Sequence, residues 1–244
     1  MQLSADHPWH FDQFDSVIIL DTETTGLNPD DQITEIAWVV LSDTLEVLDS
    51  QSSLIKPTIP IPPEVVEVTG ISEEMLVDAP SLEEFMSLHQ DRAPFVGTTL
   101  VMGHNIAFDT ARVEMFFDEH WEICTWFLAQ HAFLDLENHK LSTLIEELDV
   151  ATSQDHRALN DVMMNREVLL GLLERVGCEP RDLPAYYHDL LVNCMMSLGK
   201  FKGTAVRDLP ADYVIQMREL GFGQKWHHYS LDIHHPRLAH DADE

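Results

Sequence analysis

The chain has 244 residues, with 43 Asp or Glu, 14 Lys or Arg, 14 His and three Cys. This length predicts one large domain, or one domain with a small appendage, and the hydrophobic share of 45% excludes a wholly disordered chain. No apolar run approaches the roughly 20 residues that span a bilayer, so we expect no membrane contact. The N-terminus lacks the basic and apolar regions of a secretory signal and the cysteines form no CxxC pair, so we expect a cytoplasmic protein.

The formal net charge is −29, and a surface of this charge repels nucleic acid at long range. The charge is unevenly distributed, because residues 1–194 carry 8 Lys and Arg against 36 Asp and Glu, whereas residues 195–238 carry 6 against 4. This difference predicts a distinct C-terminal piece with a different surface role. The acidity itself fits a solvated surface, or a face that binds metal ions or a partner.

The first part of the chain predicts an antiparallel arrangement of strands. Val17–Leu20, Ile33–Leu41 and Leu45–Ile55 are rich in apolar and β-branched residues and are separated by turn formers. Residues 56–64 carry four prolines, which predicts an extended surface loop. Ser81–Leu88 is a predicted short helix.

Strands and helices then alternate. Thr99–Gly103 is a predicted buried strand, and a helix follows it with Asn105 as its expected N-cap. Further helices are predicted at Thr125–Phe133, Leu141–Leu148, Arg157–Val176, Ala185–Val192 and Ala211–Leu220. The pattern predicts an α/β fold, a mixed β-sheet flanked by helices, over residues 14–178. A connector (179–194) and a small C-terminal module (195–238) complete the predicted organisation.

Two carboxylates close the first predicted strand. Asp21 and Glu23 are two residues apart, so their side chains lie on one face of the strand end. Such a pair repels unless a cation neutralises it, and an all-oxygen pair suits Mg²⁺ or Mn²⁺. The spacing alone is weak evidence on so acidic a chain, since Asp135 and Glu137 repeat it. Gly26, in the following turn, would let backbone N–H groups approach a ligand closely.

Two further carboxylates occur near predicted helix starts. Asp109 falls in the first turn of the helix after Thr99–Gly103, where a favourable interaction with the helix dipole is the simpler explanation. Asp161 lies about one turn inside the helix that begins near Arg157, and His156 precedes that helix. The spacing of His156 and Asp161 recurs at four other histidines, so it is the position of His156 at the head of the most amphipathic helix that singles it out.

Taken in order, three motifs resemble those of the DnaQ-like, or DEDD, 3′–5′ exonucleases, in the histidine subclass. They are DTETTG (21–26), HNIAFD (104–109) and HRALND (156–161). Smaller agreements are ITEIA (33–37), VTGIS (68–72), DAP (78–80) and KLSTL (140–144). The resemblance covers about residues 14–176 and implies a ribonuclease H-like fold.

The resemblance also implies roles for individual residues. The implied catalytic residues are Asp21, Glu23, Asp109, Asp161 and His156, with the four carboxylates holding two Mg²⁺ or Mn²⁺ ions and His156 acting as general base. The implied substrate contacts are Thr24, Thr25, Gly26, Leu27, His104, Asn105 and Phe108. Of these, Leu27 and Phe108 would serve equally well as ordinary core residues.

The C-terminal module contains MSLGKFKG (196–203) and LPADY (209–213), which resemble a small module appended to some exodeoxyribonuclease X-like enzymes. Phe201 between Lys200 and Lys202 combines an aromatic ring with cations, as nucleic-acid surfaces do. A turn with solvated lysines over a packed ring is the alternative. Four histidines in the module offer weak support for a Zn²⁺ site, since no cysteine lies near them. They are His227, His228, His234 and His235.

The sequence therefore predicts a metal-dependent 3′–5′ exonuclease that acts on a DNA 3′ end, either single-stranded or at a frayed duplex. RNA is the alternative substrate, because nothing in these motifs reads the 2′-hydroxyl. Two other hypotheses are a polymerase proofreading subunit and a catalytically inactive binding domain. The sequence does not predict the oligomeric state.

Overall fold

A computed structural model describes residues 8–151, 157–196, 199–220, 230–231 and 234–235. The strands are Ser16–Thr24 (β1), Ile33–Leu41 (β2), Val47–Leu54 (β3), Thr98–Gly103 (β4) and Glu119–Cys124 (β5). The α-helices are Pro63–Thr69 (α1), Leu82–Ser87 (α2), Ala107–Val113 (α3), Thr125–Ala132 (α4), Leu141–Glu147 (α5), Ala158–Val176 (α6), Leu183–Val192 (α7) and Ala211–Leu220 (α8). Within this part of the chain, every helix is too short or too polar to cross a membrane.

The strands form one mixed sheet in the order β3-β2-β1-β4-β5. β1 pairs antiparallel with β2 and β2 antiparallel with β3, whereas β4 runs parallel to both β1 and β5. The predicted α/β fold with a mixed sheet flanked by helices is therefore confirmed. Because β1 and β4 are parallel, their carboxyl ends meet at the same edge of the sheet, and α3, the helix that follows β4, begins there.

β1 and β2 lie in the middle of the sheet and are buried on both faces, which explains their nearly continuous apolar sequence. On one face Ile18, Leu20 and Trp38 pack in a core cluster with Val101. Alternation along β1 places Val17, Ile19, Asp21 and Glu23 on the other face, against which α6 packs. α6 ends at Gly177, which adopts the left-handed conformation that favours glycine (φ 69°).

Three features differ from the sequence-based predictions. α1 begins at Pro63 inside the segment expected to be an extended loop, because proline is well accommodated in a first helical turn. β5 was not predicted, since Glu119, His120 and Glu122 interrupt its apolar pattern. The prediction of Asn105 as an N-cap is wrong: Ile106 occupies that position and Asn105 adopts a left-handed turn conformation (φ 60°).

The chain divides into two compact units, Phe11–Arg181 on one hand and Met1–His10 with Asp182–Glu244 on the other. In the second unit Trp9 packs against the rings of Tyr187 and His188 on α7. His234 and His235 make hydrogen bonds to the backbone carbonyls of Val192 and Val206. These bonds give both histidines a structural role; His227 and His228 lie outside the described residues.

Gly103 ends β4 where the backbone passes close to β1. A Cβ atom here would lie 2.5 Å from Ile106 Cδ1 and 3.0 Å from the Leu20 carbonyl oxygen. We therefore expect Gly103→Ala to lower the free energy of unfolding by about 1–3 kcal/mol through overpacking. Urea denaturation measures this change. An unchanged midpoint would contradict the prediction, because β1 and β4 would then accommodate the added methyl group without a loss of stability.

Candidate active site

The carboxyl end of β1 carries two acidic side chains that face α6. Asp21 and Glu23 are partly buried and lie on the strand face opposite the core cluster. In the antiparallel pairing with β2, Glu23 lies directly opposite Glu35, and the register shifts immediately after Glu23. The extra residue, Thr34, lies on β2, so this bulge makes the pairing of the two strands irregular beside Glu23 and Glu35.

α6 brings the third carboxylate to the same place. Asp161 lies in the first turn of α6, as predicted, and is only 9% exposed. One carboxylate oxygen from each of Asp21, Glu23 and Asp161 lies within 4.8 Å of the other two. Residues separated by 138 positions in the sequence therefore form one acidic cluster.

Asp109 approaches from α3, whose Val113 belongs to the core cluster on the other face of the sheet. It lies in the first turn of α3, as predicted, and is 3% exposed. Its Oδ1 accepts hydrogen bonds from the Thr22 backbone N–H at 2.9 Å and from Thr22 Oγ1 at 2.7 Å. These bonds attach Asp109 to the strand between Asp21 and Glu23, beside the three-carboxylate cluster.

Burial and mutual repulsion disfavour the charged forms of these acids. Burial is the largest cause that raises the pKa of Asp21 well above its ordinary range, and the charges of Asp109 and Asp161 add to it. Burial, then the charges of Asp161 and Glu35, raise the pKa of Glu23 from 4.5 to about 8. Burial raises the pKa of Asp109 to about 7, although its bonds from Thr22 act in the opposite direction.

The donor set fits hard divalent cations. The three clustered ligand atoms are all carboxylate oxygens, which Mg²⁺ and Mn²⁺ prefer. Two ionised carboxylates at this separation repel by about 3 kcal/mol at an effective dielectric constant of about 20. A bound divalent ion replaces that repulsion with attraction, so Asp21, Glu23 and Asp161 together would hold a cation much better than any of them alone.

An ion pair between a buried carboxylate and a partly exposed guanidinium, which sequence analysis missed, attaches α6 to the sheet. Glu35 on β2 is 3% exposed and accepts hydrogen bonds from Arg157 Nε at 3.0 and 3.1 Å and from Arg157 Nη2 at 2.6 Å. Its Oε2 also accepts from the Ala158 backbone N–H at 3.0 Å. Glu35 therefore fixes the start of α6, three residues before Asp161. A lone acid inside the apolar segment ITEIAWVVL was the available signal, because a buried carboxylate needs a partner.

The loop after Glu23 is held by its own side chains. Thr24 Oγ1 donates to the Gly26 carbonyl at 2.6 Å, and Thr25 Oγ1 accepts from the Gln32 backbone N–H at 3.0 Å. A Cβ atom on Gly26 would lie 2.5 Å from Asp31 Oδ2, so a larger residue there would displace the Asp31 carboxylate. Leu27 is 85% exposed, so it is not a core residue. Of the four predicted substrate contacts in this loop, Leu27 is therefore the one fully presented to solvent.

The predicted contacts of the second motif occupy different environments. His104 Nδ1 lies 3.1 Å from Thr125 Oγ1, and burial lowers the pKa of His104 to about 4, so its ring is neutral near pH 7. Asn105 is exposed. Phe108 is half-buried and the Arg112 guanidinium lies over its ring, 3.8 Å from the centroid. Their contacts with substrate remain predictions. His156, the predicted general base, lies outside the described residues.

We expect Arg157→Met to lower the free energy of unfolding by about 1–3 kcal/mol, because the Glu35 carboxylate loses its charge-assisted hydrogen bonds while it stays buried. Mg²⁺ binding should weaken as well, since the start of α6 positions Asp161. Thermal unfolding with and without Mg²⁺ measures both effects.

Arg181→Met is the matched control, because Arg181 makes a 3.6 Å ion pair with Asp43 in which the side chains are 69% and 56% exposed. This variant should change stability by no more than about 0.5 kcal/mol. Equal losses in the two variants would contradict a special role for the Glu35–Arg157 pair.

The raised pKa values predict how the stability of the metal-free protein depends on pH. The folded chain keeps a proton on Glu23 up to about pH 8, whereas the ordinary pKa of 4.5 applies when it unfolds. Because the folded state binds more protons in this window, the free energy of unfolding should fall as the pH rises from about 4.5 to 8. Mg²⁺ binds the ionised form, so it should raise the melting temperature more at pH 8 than at pH 5.

Asp21→Asn removes one of the repelling charges. It should melt higher than the parent at pH 8 without metal and should lose the response to Mg²⁺. Asp135→Asn changes an exposed acid and should leave both properties as in the parent. An undiminished Mg²⁺ response in Asp21→Asn would exclude this cluster as the cation site.

Comparison with known proteins places this geometry in a family. The RNase T family model, described as Exonuclease, matches residues 18–169. The PolC-type DNA polymerase III of Caldanaerobacter subterraneus subsp. tengcongensis is 31% identical over 166 residues, which are 65% of this chain and 12% of that protein. The chain therefore spans only a small part of the curated relatives that it matches.

Solved structures share the fold. Exonuclease X in complex with 5′ overhanging duplex DNA is 26% identical, with a TM-score of 0.56 over 70% of this chain and 99% of that one. The nuclease domain of 3′hExo, a DEDDh family member bound to rAMP, is 19% identical, with a TM-score of 0.54 over 68% of this chain and 94% of that one. With the acidic cluster and the matched sheet, these findings show that the chain belongs to the RNase T exonuclease family, the DnaQ-like 3′–5′ exonucleases.

Proposed function

We propose that this protein hydrolyses DNA from the 3′ end and releases nucleoside 5′-monophosphates, using two divalent metal ions. The observation that carries the proposal is the convergence of Asp21, Glu23 and Asp161, whose carboxylate oxygens lie within 4.8 Å of one another. Family membership supplies the reaction class and its polarity. The preference for DNA and the roles of individual residues are the parts that need experiment.

The carboxylates would hold the metal ions. Asp21, Glu23 and Asp161 would share one ion, and Asp109, oriented by its bonds from Thr22, would support the second. When bound, divalent ions supply the positive charge and Lewis acidity that assist attack on a phosphodiester and departure of the 3′ oxygen. Four carboxylates would balance the charge of two such ions, so the substrate phosphate would meet a site without net repulsion despite the chain's charge of −29.

His156 would accept the proton from the attacking water. The pKa of an unperturbed histidine is about 6.5, so its neutral form is available at pH 7. The water oxygen bonds to phosphorus as the bond from phosphorus to the 3′ oxygen breaks. The products are a nucleoside 5′-monophosphate and a strand that is shorter by one nucleotide and has a new 3′-hydroxyl.

The loop after β1 would receive the terminal nucleotide. Leu27 offers an exposed apolar side chain, and the internal bonds of Thr24 and Thr25 hold the loop in place without substrate. Arg112 connects the loop to α3 through two hydrogen bonds. Its Nη2 donates to the Asn28 carbonyl at 2.9 Å and its Nη1 to the Phe108 carbonyl at 2.7 Å. This loop is thus fixed to the helix that carries Asp109.

The likeness to Exonuclease X, whose structure was solved with duplex DNA, supports DNA as the substrate. RNA remains the alternative substrate. A proofreading role is the second candidate function, and the identity with PolC-type DNA polymerase III favours it. Stimulation of hydrolysis by a replicative polymerase would distinguish proofreading from independent action.

The direct test is hydrolysis of single-stranded DNA labelled at the 3′ or the 5′ end, with Mg²⁺, with Mn²⁺ and with EDTA. We expect the 3′ label to leave first as a mononucleotide, the 5′-labelled strand to shorten stepwise, and EDTA to abolish both. Matched RNA strands in parallel should be cut more slowly. Robust hydrolysis in EDTA would contradict the metal assignment.

Asp21→Asn should lower the rate by more than about 100-fold, since loss of even an outer partner of a metal site costs about 10–100-fold. The matched control replaces the second pair with the same spacing, Asp135→Asn with Glu137→Gln, whose side chains are exposed. This control should be as active as the parent. Full activity of Asp21→Asn would favour an inactive binding domain whose apparent hydrolysis comes from a contaminant.

A further inference from the structure

One segment of the chain has a charge opposite to the rest. Residues 190–207 form the longest stretch without Asp or Glu, 18 residues in a chain with 43 acids. The same stretch carries three of the 14 Lys and Arg residues, namely Lys200, Lys202 and Arg207, within eight positions. A polyanion that is repelled elsewhere would meet attraction here.

Lys200 and Lys202 belong to a tight hairpin in the C-terminal unit, and Arg207 follows it. Met195 and Ala205 form an antiparallel bridge, and Met196 exchanges backbone hydrogen bonds with Gly203 and Thr204 at 2.8 and 2.9 Å. Gly199 and Gly203 both adopt left-handed conformations (φ 76° and 82°), which other residues rarely tolerate. The hairpin is therefore held by its backbone, and the lysine side chains are not needed to form it.

The lysines point to solvent around a packed aromatic ring. Phe201 is half-buried, with its ring centroid 4.5 Å from that of Tyr213 in an edge-on arrangement. Lys200 and Lys202 are exposed on either side of it, and Lys200 Nζ lies 5.1 Å from the Phe201 centroid. Since Phe201 packs against Tyr213, the described surface between the two lysines presents cations rather than an exposed aromatic ring.

Arg207 extends the same basic surface. It is exposed, and its Nη1 donates to Asn193 Oδ1 at 3.1 Å, which restricts the guanidinium. Asp208 and Asp212 follow and are also exposed, so the acid-free stretch ends at Arg207. Three exposed cations within eight positions fit a single line of phosphates better than a broad anionic surface.

We propose that the hairpin 199–203, together with Arg207, binds the phosphate backbone of the single-stranded nucleic acid that the enzyme degrades. This inference rests on the proposed function, because that function supplies the polyanion. The hairpin would hold the nucleic-acid strand between rounds of hydrolysis. The rest of the surface is acidic and would repel that strand. Each phosphate contact releases counterions, so binding should weaken steeply with salt.

The test uses the full chain with Asp21→Asn, which leaves an oligothymidylate intact, and measures binding by fluorescence anisotropy between about 50 and 200 mM KCl. Adding Lys200→Ala and Lys202→Ala should lower the affinity about tenfold. It should also reduce the slope of log affinity against log salt by about 1.4, since a single strand contributes about 0.7 for each phosphate. Lys200→Arg with Lys202→Arg should restore both.

The matched control is Lys56→Ala with Lys140→Ala, which removes the same charge from the other unit. Both lysines lie in the unit Phe11–Arg181, outside the hairpin. Lys56 Nζ donates to the Val77 carbonyl, and Lys140 is exposed. This control should keep the parent's affinity and slope, and equal melting temperatures should show that all variants fold. Equal loss in control and hairpin variants, an unchanged slope in the hairpin variants, or no binding by the starting chain would overturn the inference. Failure of the proposed function is a separate result, because it would appear as absence of hydrolysis by the parent.

Discussion

Repulsion among buried carboxylates is the constraint on which the rest of this site depends. Asp21, Glu23 and Asp161 crowd one end of the sheet, where burial raises the pKa of Asp21 and of Glu23. Such a cluster does not stabilise the fold, because each ionised pair of carboxylates repels. Protonation relieves the repulsion, but a protonated acid loses its affinity for cations. A divalent ion bound among these oxygens would remove the repulsion, and the arrangement of the three carboxylates fits such an ion.

The surrounding elements hold the acids in place against this repulsion. β1 presents Asp21 and Glu23 from the centre of the sheet, and α3 contributes Asp109 through two bonds from Thr22. The buried Glu35 carboxylate fixes the start of α6 through its bonds from Arg157 and from the Ala158 backbone N–H. Sheet, helices and ion pair together preorganise the ligands, so metal binding does not have to order them.

The sequence predicted much of the fold and of the site because both depend on local patterns. Apolar strands that end in acids, and a helix start that carries Asp161, are visible in the order of residues. The role of Glu35 was not predictable, since its partner lies 122 positions away. β5 was missed because Glu119 and Glu122 interrupt its alternation, and Asn105 was misassigned because a left-handed residue precedes the helix cap. These outcomes depend on tertiary partners rather than on local propensity.

The most direct test of the account counts tightly bound Mn²⁺ by electron paramagnetic resonance. The parent, Asp161→Asn and the exposed-pair control Asp135→Asn with Glu137→Gln would be titrated side by side. The account predicts tight Mn²⁺ binding in the parent and the control, and its loss in Asp161→Asn, with only weak surface binding left. Tight binding in Asp161→Asn equal to that of the parent would contradict a metal site built from β1 and α6.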